Sequence, residues 1–202
     1  MTDAGGGATV VVALHYQNEV LHADGKIRLG VAAGAPGREA VVAAARALLT
    51  HARAAGLPLV HVRIAFPAGH VGVVTNAPVF RNVVALGAME EGSWGADFHA
   101  GLEPHPGEAV VTHDRVNAFY GSDLADRLAA LDAGRLVMAG VATNSVVEHS
   151  ARHAADMGFE VIVLGDACSA GRADLHRAAL DNVAIIGAVS TVADFFGAGA
   201  AA

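Results

Sequence analysis

Five short apolar runs constrain this chain more than any other feature, because they are continuous rather than alternating. They read ATVVVAL (residues 8–14), LPLVHVRI (57–64), EAVVTH (108–113), RLVMAGV (135–141) and FEVIVLG (159–165). A strand wet on one face alternates polar with apolar residues, so unbroken β-branched runs belong to strands buried on both faces. Between them lie stretches with helical spacing. GREAVVAAARALLTHARAAG closes on Gly56, and GSDLADRLAALDAG has Ser122 as N-cap and Gly134 as its stop. ADLHRAALDNVA and STVADFF give the last helices. Strand, helix, strand in repetition predicts an α/β protein with a central parallel sheet between two helical layers. Residues 65–107 break the pattern, being rich in Gly, Pro and Asn. A loop-rich segment of that length inside a domain reads as a pocket wall or an oligomer contact.

With 202 residues, 53% of them hydrophobic, the chain can bury one sizeable core, so residues 1–202 are expected to form one domain with flexible ends at 1–7 and 197–202. Asp and Glu number 20 against 13 Lys and Arg, without a block of like charge, which disfavours nucleic acid as a partner. The single cysteine, Cys168, excludes an internal disulfide or a cysteine-rich zinc module and fits a reducing cytoplasm. MTDAGGGATVVVALHY has no basic leader, and no apolar stretch approaches the ~18 residues of a membrane span. The glycines 5–7 precede a strand instead of following one, so no nucleotide loop is read and no cofactor is expected.

In open parallel sheets, ligands collect where strands end and helices begin. Three such ends carry polar residues: His15-Tyr16-Gln17-Asn18, His113-Asp114-Arg115 and Thr143-Asn144-Ser145. Each also has a purely structural reading. A histidine there can be a satisfied core residue, Gln17 and Asn18 can tie down a turn, and Ser145 can cap a helix.

Taken together, three ordered segments resemble the isochorismatase-like cysteine hydrolases, which include nicotinamidases, maleamate and ureidoacrylate amidohydrolases, and isochorismatase itself. The segments are VVALHYQNEV, THDRVNAFYGSDL and GVATNSVVEHSARHAADMGFEVIVLGDA, beside the family's Asp-x-Gln-Asn, Lys-x-x-x-Ser-Ala-Phe and Gly-Val-Ala-Thr-Asn-x-Cys-Val-Glu patterns. The resemblance spans nearly the whole chain and implies a Rossmann-like three-layer α/β/α fold and a homodimer or homotetramer. It implies a catalytic Asp, Lys and Cys, whose positions here hold His15, His113 and Val146. Val146 has no lone pair, so a covalent thioester route is closed. Ser145, one residue earlier, would point roughly 100° away on a helical turn. Cys168 falls where the resemblance implies a structural turn. The family's oxyanion site, backbone N–H groups around a cis peptide, maps onto residues 140–143, with Ala142 and Val146 as donors. Relatives in phenazine pathways also lack the cysteine and act by protonating their substrate, although they keep the Asp.

Two imidazoles remain, and with an unperturbed pKa near 6.5 one can accept and the other donate a proton at neutral pH. This suits non-covalent chemistry on a small, rather apolar molecule of specialised metabolism: vinyl-ether hydrolysis, elimination, ring closure or isomerisation. Tyr16, Trp94, Phe119 and Tyr120 are candidate apolar or stacking walls, Gln17, Asn117 and Asn144 candidate polar contacts, and Arg63 a candidate partner for a substrate carboxylate. Phe119 as core, Trp94 as a subunit contact and Arg63 as a surface ion pair are the competing readings. Among 11 histidines, His149 with His153 and His61 with His70 could pair on a metal, but no carboxylate or cysteine completes either set, so none is expected. An inactive relative that binds a small molecule or a partner subunit, and a hydrolase using Ser145 with a histidine base, remain open beside the acid–base enzyme.

Overall fold

A computed structural model of the chain describes residues 6–27 and 37–197. The expected flexibility of residues 1–5 and 198–202 lies outside the described residues. Gly197, also expected to fray, is the last residue of a helix. The elements are β1 (Ala8–Leu14), α1 (Asn18–Leu21), α2 (Arg38–Ala54), β2 (Leu59–Ile64), α3 (Pro78–Leu86), β3 (Ala109–His113) and α4 (Leu124–Ala130), followed by β4 (Ala133–Gly140), α5 (Glu148–Asp156), β5 (Glu160–Leu164), α6 (Ala173–Val183), β6 (Ala188–Ser190) and α7 (Val192–Gly197).

The strands form one parallel sheet in the order β3-β2-β1-β4-β5-β6. The α2 and α7 helices pack together, and α5 packs on α6 and β5. The result is a three-layer α/β/α sandwich, as the alternating runs predict. Val10, Val11 and Val12 of β1 and Leu136, Val137 and Met138 of β4 are fully buried, which is why the sequence of these strands does not alternate. The direction of chain progression reverses between β1 and β4, so a crevice opens at the carboxyl ends of these two neighbours.

Four features differ from the sequence reading. The three-residue β6 was not expected, since AVS is too short to carry a periodicity. α4 begins one residue later than its Ser122 cap implied, because the Ser122 hydroxyl donates to the Ala118 carbonyl at 2.6 Å while accepting from the Leu124 amide at 3.2 Å. The turn after α4 is made by Asp132 at φ 50°, not by Gly134. Residues 65–107 contain α3, which starts with Pro78 in its first turn and stops at Gly87 in the left-handed conformation, φ 56°.

Leu14 pairs with Gly140 in register at the mouth of the crevice. A Cβ on Gly140 would lie 2.2 Å from the Leu14 carbonyl oxygen, so only glycine lets the two strand ends approach this closely. No helix among the described residues is long and apolar enough to cross a membrane.

Candidate active site

β1 hands the chain to His15, whose backbone turns sharply at φ 56° while its amide donates to the Val62 carbonyl at 2.8 Å. Positive φ is uncommon outside glycine and is held in place by neighbours. Here Gln17 supplies the hold. Fully buried, it donates to the carbonyls of Ile64 (2.9 Å) and Ala96 (2.8 Å) and accepts from the Ile64 amide (2.9 Å). Asn18 donates to the Trp94 carbonyl at 2.9 Å. Gln17 was a candidate substrate contact; its hydrogen bonds are instead spent on fixing the turn that aims His15.

His113 is the last residue of β3, two strands away. The two imidazoles meet above the end of β2, with Nε2 to Nε2 at 2.5 Å and ring centroids 4.8 Å apart. His113 Nδ1 lies 3.2 Å from the Asn117 carbonyl oxygen, which accepts only, so Nδ1 carries the hydrogen. The neutral His113 Nε2 is then a lone-pair acceptor, and His15 Nε2–H donates to it. This leaves His15 Nδ1 unprotonated and without a protein hydrogen bond among the described residues. Burial pushes His113 down from the ordinary 6.5 to about 4. Burial also lowers His15 well below its ordinary value, and the neighbouring His113 adds to the effect. The expectation of unperturbed imidazoles is therefore corrected. At neutral pH both rings are uncharged and both N–H groups are spent within the protein, so the pair offers one base, His15 Nδ1, and no resting imidazolium.

From β4 the chain passes through a cis Val141–Ala142 peptide into a π-helical turn, Thr143–Val147. The Ala142 carbonyl accepts from the amides of Ser145 (3.1 Å) and Val147 (3.4 Å), and Thr143 donates to the Ser169 carbonyl at 2.7 Å. The amides of Ala142 and Asn144 have no protein acceptor among the described residues. Val146 is turned into the core, 1% exposed, whereas Asn144 and Ser145 line the crevice. No hydrogen bond joins Ser145 to either imidazole among the described residues. Cys168 is sealed beneath, its Sγ accepting from the Gly140 amide at 3.4 Å, and burial pushes the thiol up to about 12.

His15, Ala142, Asn144 and Ser145 face a cavity of about 480 Å³. Its walls are mainly apolar, and the segment 65–107 supplies Phe66, Val79, Phe80, Val83 and Met89. The sequence names none of these, and it leaves the segment as a pocket wall or an oligomer contact. The signal was α3 itself, whose apolar residues follow a helical spacing.

Several candidates fall elsewhere. Tyr16 is buried, and its hydroxyl donates to the Ala167 carbonyl at 2.7 Å. Arg63 donates to Glu91 (2.7 Å) and Thr112 (3.0 Å), the surface ion pair rather than a substrate contact. Trp94 is half exposed and sits edge-on to His22 at 5.0 Å. Asn117 serves His113 through its carbonyl, while its side chain accepts from the Phe119 amide at 2.8 Å. Phe119 and exposed Tyr120 border a second, open recess with His149 and His153. His61 and His70 are held apart: His61 contacts Glu108 at 2.8 Å, and His70 contacts the Ala88 carbonyl at 2.8 Å. Among the described residues, no group of three or more His, Cys, Asp or Glu side chains could hold a metal ion.

A parallel sheet carries, at its reversal point, a histidine pair, a cis-peptide turn and a mainly apolar cavity. The comparisons with known proteins are specific about the family. The Isochorismatase domain pattern matches residues 9–194, and the chain belongs to the isochorismatase family of hydrolases. It is 33% identical to a maleamate amidohydrolase of Pseudomonas putida over 74% of this chain and 69% of that one. It is also 33% identical to a ureidoacrylate amidohydrolase of Methylobacterium radiotolerans over 77% of this chain and 66% of that one. An isochorismatase family protein from Burkholderia thailandensis superposes with TM-score 0.74 at 29% identity, covering 93% of each chain. A cysteine hydrolase from Pseudomonas syringae pv. phaseolicola shares the fold at TM-score 0.83 and 21% identity, over 94% of this chain and 91% of that one.

Proposed function

We propose that this protein is a hydrolase-family enzyme with an altered triad, in which His15 exchanges a proton with a small, largely apolar molecule and no covalent intermediate forms. The observation that carries the reading is the coupled imidazole pair: His15 lines the cavity with Nδ1 unpartnered, while its Nε2–H rests on His113. A hydrolytic step begins when His15 Nδ1 accepts a proton from a water molecule whose oxygen forms the bond to the substrate carbon. The positive charge that develops on His15 is shared with His113 through the Nε2 contact. The proton then returns to the leaving group, so both rings finish neutral. A carboxylate behind the base would stabilise the cation throughout; a neutral imidazole does so weakly, which matches the low proton affinity of both rings. Proton removal and return on the substrate itself, as in elimination, ring closure or isomerisation, uses the same cycle without water. The amidohydrolase names of the curated relatives favour an amide or related acyl substrate over a vinyl ether. The amides of Ala142 and Asn144, uncommitted to protein acceptors, would receive its oxygen.

Ser145 lines the same cavity, and a serine nucleophile with a histidine base is the second reading. A panel of small amides, lactones and vinyl ethers separates the two. Activity lost in His15→Asn, retained in Ser145→Ala, with no acyl adduct in the intact-protein mass during turnover, is the expected result. An adduct on Ser145 would overturn it, and a wild-type chain inert to the whole panel would favour a non-catalytic binder. The homo-oligomer and the cytoplasmic location are part of the same proposal.

A further inference from the structure

Among the described residues, the cavity wall contains no aspartate or glutamate, yet two arginines reach it, Arg115 and Arg172. They are not equivalent. Arg172, exposed beside α6, is committed to Asp174 through both of its terminal contacts. Arg115, two residues past His113, is half-buried and has no carboxylate within ion-pair distance among the described residues. Its guanidinium lies over the Phe80 ring, 3.7 Å from the centroid, and donates only to neutral acceptors, the Val74 carbonyl at 3.0 Å and Asn76 Oδ1 at 2.8 Å. Those bonds use part of its five N–H groups and fix the plane of the fork. Arg115, Phe80 and Val116 also border the outer recess, so the guanidinium stands where the cavity meets it.

Among the described residues, a half-buried cation held by neutral groups at the mouth of an acid-free apolar cavity has no counter-charge, and this occurs in a chain whose net charge is −7. We propose that the cavity selects an amphipathic monoanion, a small carboxylate with an apolar body, and that Arg115 receives the carboxylate while Phe80, Val83 and Met89 enclose the body. The inference rests on the cavity being the substrate site. It moves anion recognition to Arg115 from Arg63, whose charge Glu91 already answers. A planar guanidinium pairs with a carboxylate through two parallel N–H bonds, whereas an isosteric alcohol meets only one donor at a time.

The test compares phenylacetate with 2-phenylethanol by isothermal titration calorimetry at low ionic strength, on wild type and on Arg115→Met, Arg115→Lys and Arg172→Gln. Methionine keeps an apolar cover over Phe80 without the charge. The expected result is that wild type and Arg172→Gln bind the anion about tenfold or more tighter than the alcohol, Arg115→Met binds both equally, and Arg115→Lys recovers part of the preference. Equal binding of the two probes to wild type, no binding of either, or a preference that survives Arg115→Met or vanishes in Arg172→Gln would overturn the proposal. Ring resonances of ¹⁵N-histidine-labelled protein keep the two readings apart. An anion preference that follows Arg115 but leaves the His15 resonances unmoved would uphold selection at Arg115 and sink the role given to His15.

Discussion

Acidification should unfold this protein through its histidine pair, and the size of the effect follows from burial. His113 falls from the ordinary 6.5 to about 4 in the folded chain, which corresponds to about 3 kcal/mol of preference for the neutral ring. The unfolded chain therefore binds more protons than the folded one between pH 6.5 and pH 4. Stability contributed by the neutral ring is complete above pH 6.5, declines as pH falls through that window, and is gone below it. For His113 alone, about 2 kcal/mol is lost between pH 7 and pH 4.5. The control is His113→Gln, whose amide can accept from His15 Nε2–H and donate to the Asn117 carbonyl without titrating. Urea unfolding of both proteins at the two pH values gives the difference of differences, to which the other lowered histidines, His61, His99 and His176, contribute equally and cancel. The wild-type midpoint should drop by roughly 1 M more than that of the variant. Parallel pH dependences would mean that His113 is solvated or already charged, and the neutral-pair chemistry would fall with it.

Gly140→Ala places a methyl 2.2 Å from the Leu14 carbonyl; thermal melts should show a loss of about 2–3 kcal/mol or more, with the crevice distorted at its mouth. Glu108→Gln removes the negative charge that faces Arg53 (2.7 Å) and the buried ring of His61 (2.8 Å) and turns one acceptor oxygen of a carboxylate that Arg53 foremost holds down to about 2 into an N–H donor. It should destabilise by about 2 kcal/mol at pH 7 in urea titrations. The Cys168 thiol, raised to about 12 by burial, should resist an aromatic disulfide reagent in the native state and react at the rate of global unfolding.

The sheet was legible because burial on both faces writes itself into sequence: β1 is observed as Ala8–Leu14, the run ATVVVAL with both bounds as read. The shape of the site was less so. His15 and His113 could each be located at a strand end, but their contact depends on β3, β2 and β1 lying side by side, an order that no local pattern encodes. The lowering of their proton affinities is a property of what surrounds them and is invisible residue by residue. Arg63 lies at the end of one apolar run and Arg115 just past another, and only the fold distinguishes them, giving one Glu91 and leaving the other facing the cavity. Phe80 and Val83 went unnamed because they lie in a segment whose Gly, Pro and Asn content masks the short helix between them.

The division of labour between sheet and insert has an evolutionary reading. His15 and the cis-peptide turn hang from the central pair β1 and β4, where any displacement disturbs the whole core. Phe66, Val79, Phe80, Val83 and Met89 of the cavity wall come from α3 and its flanks, which contribute no strand to the sheet. Ligand preference in this lineage can therefore drift by exchanging Val79, Phe80 or Val83 while the proton-handling floor stays still.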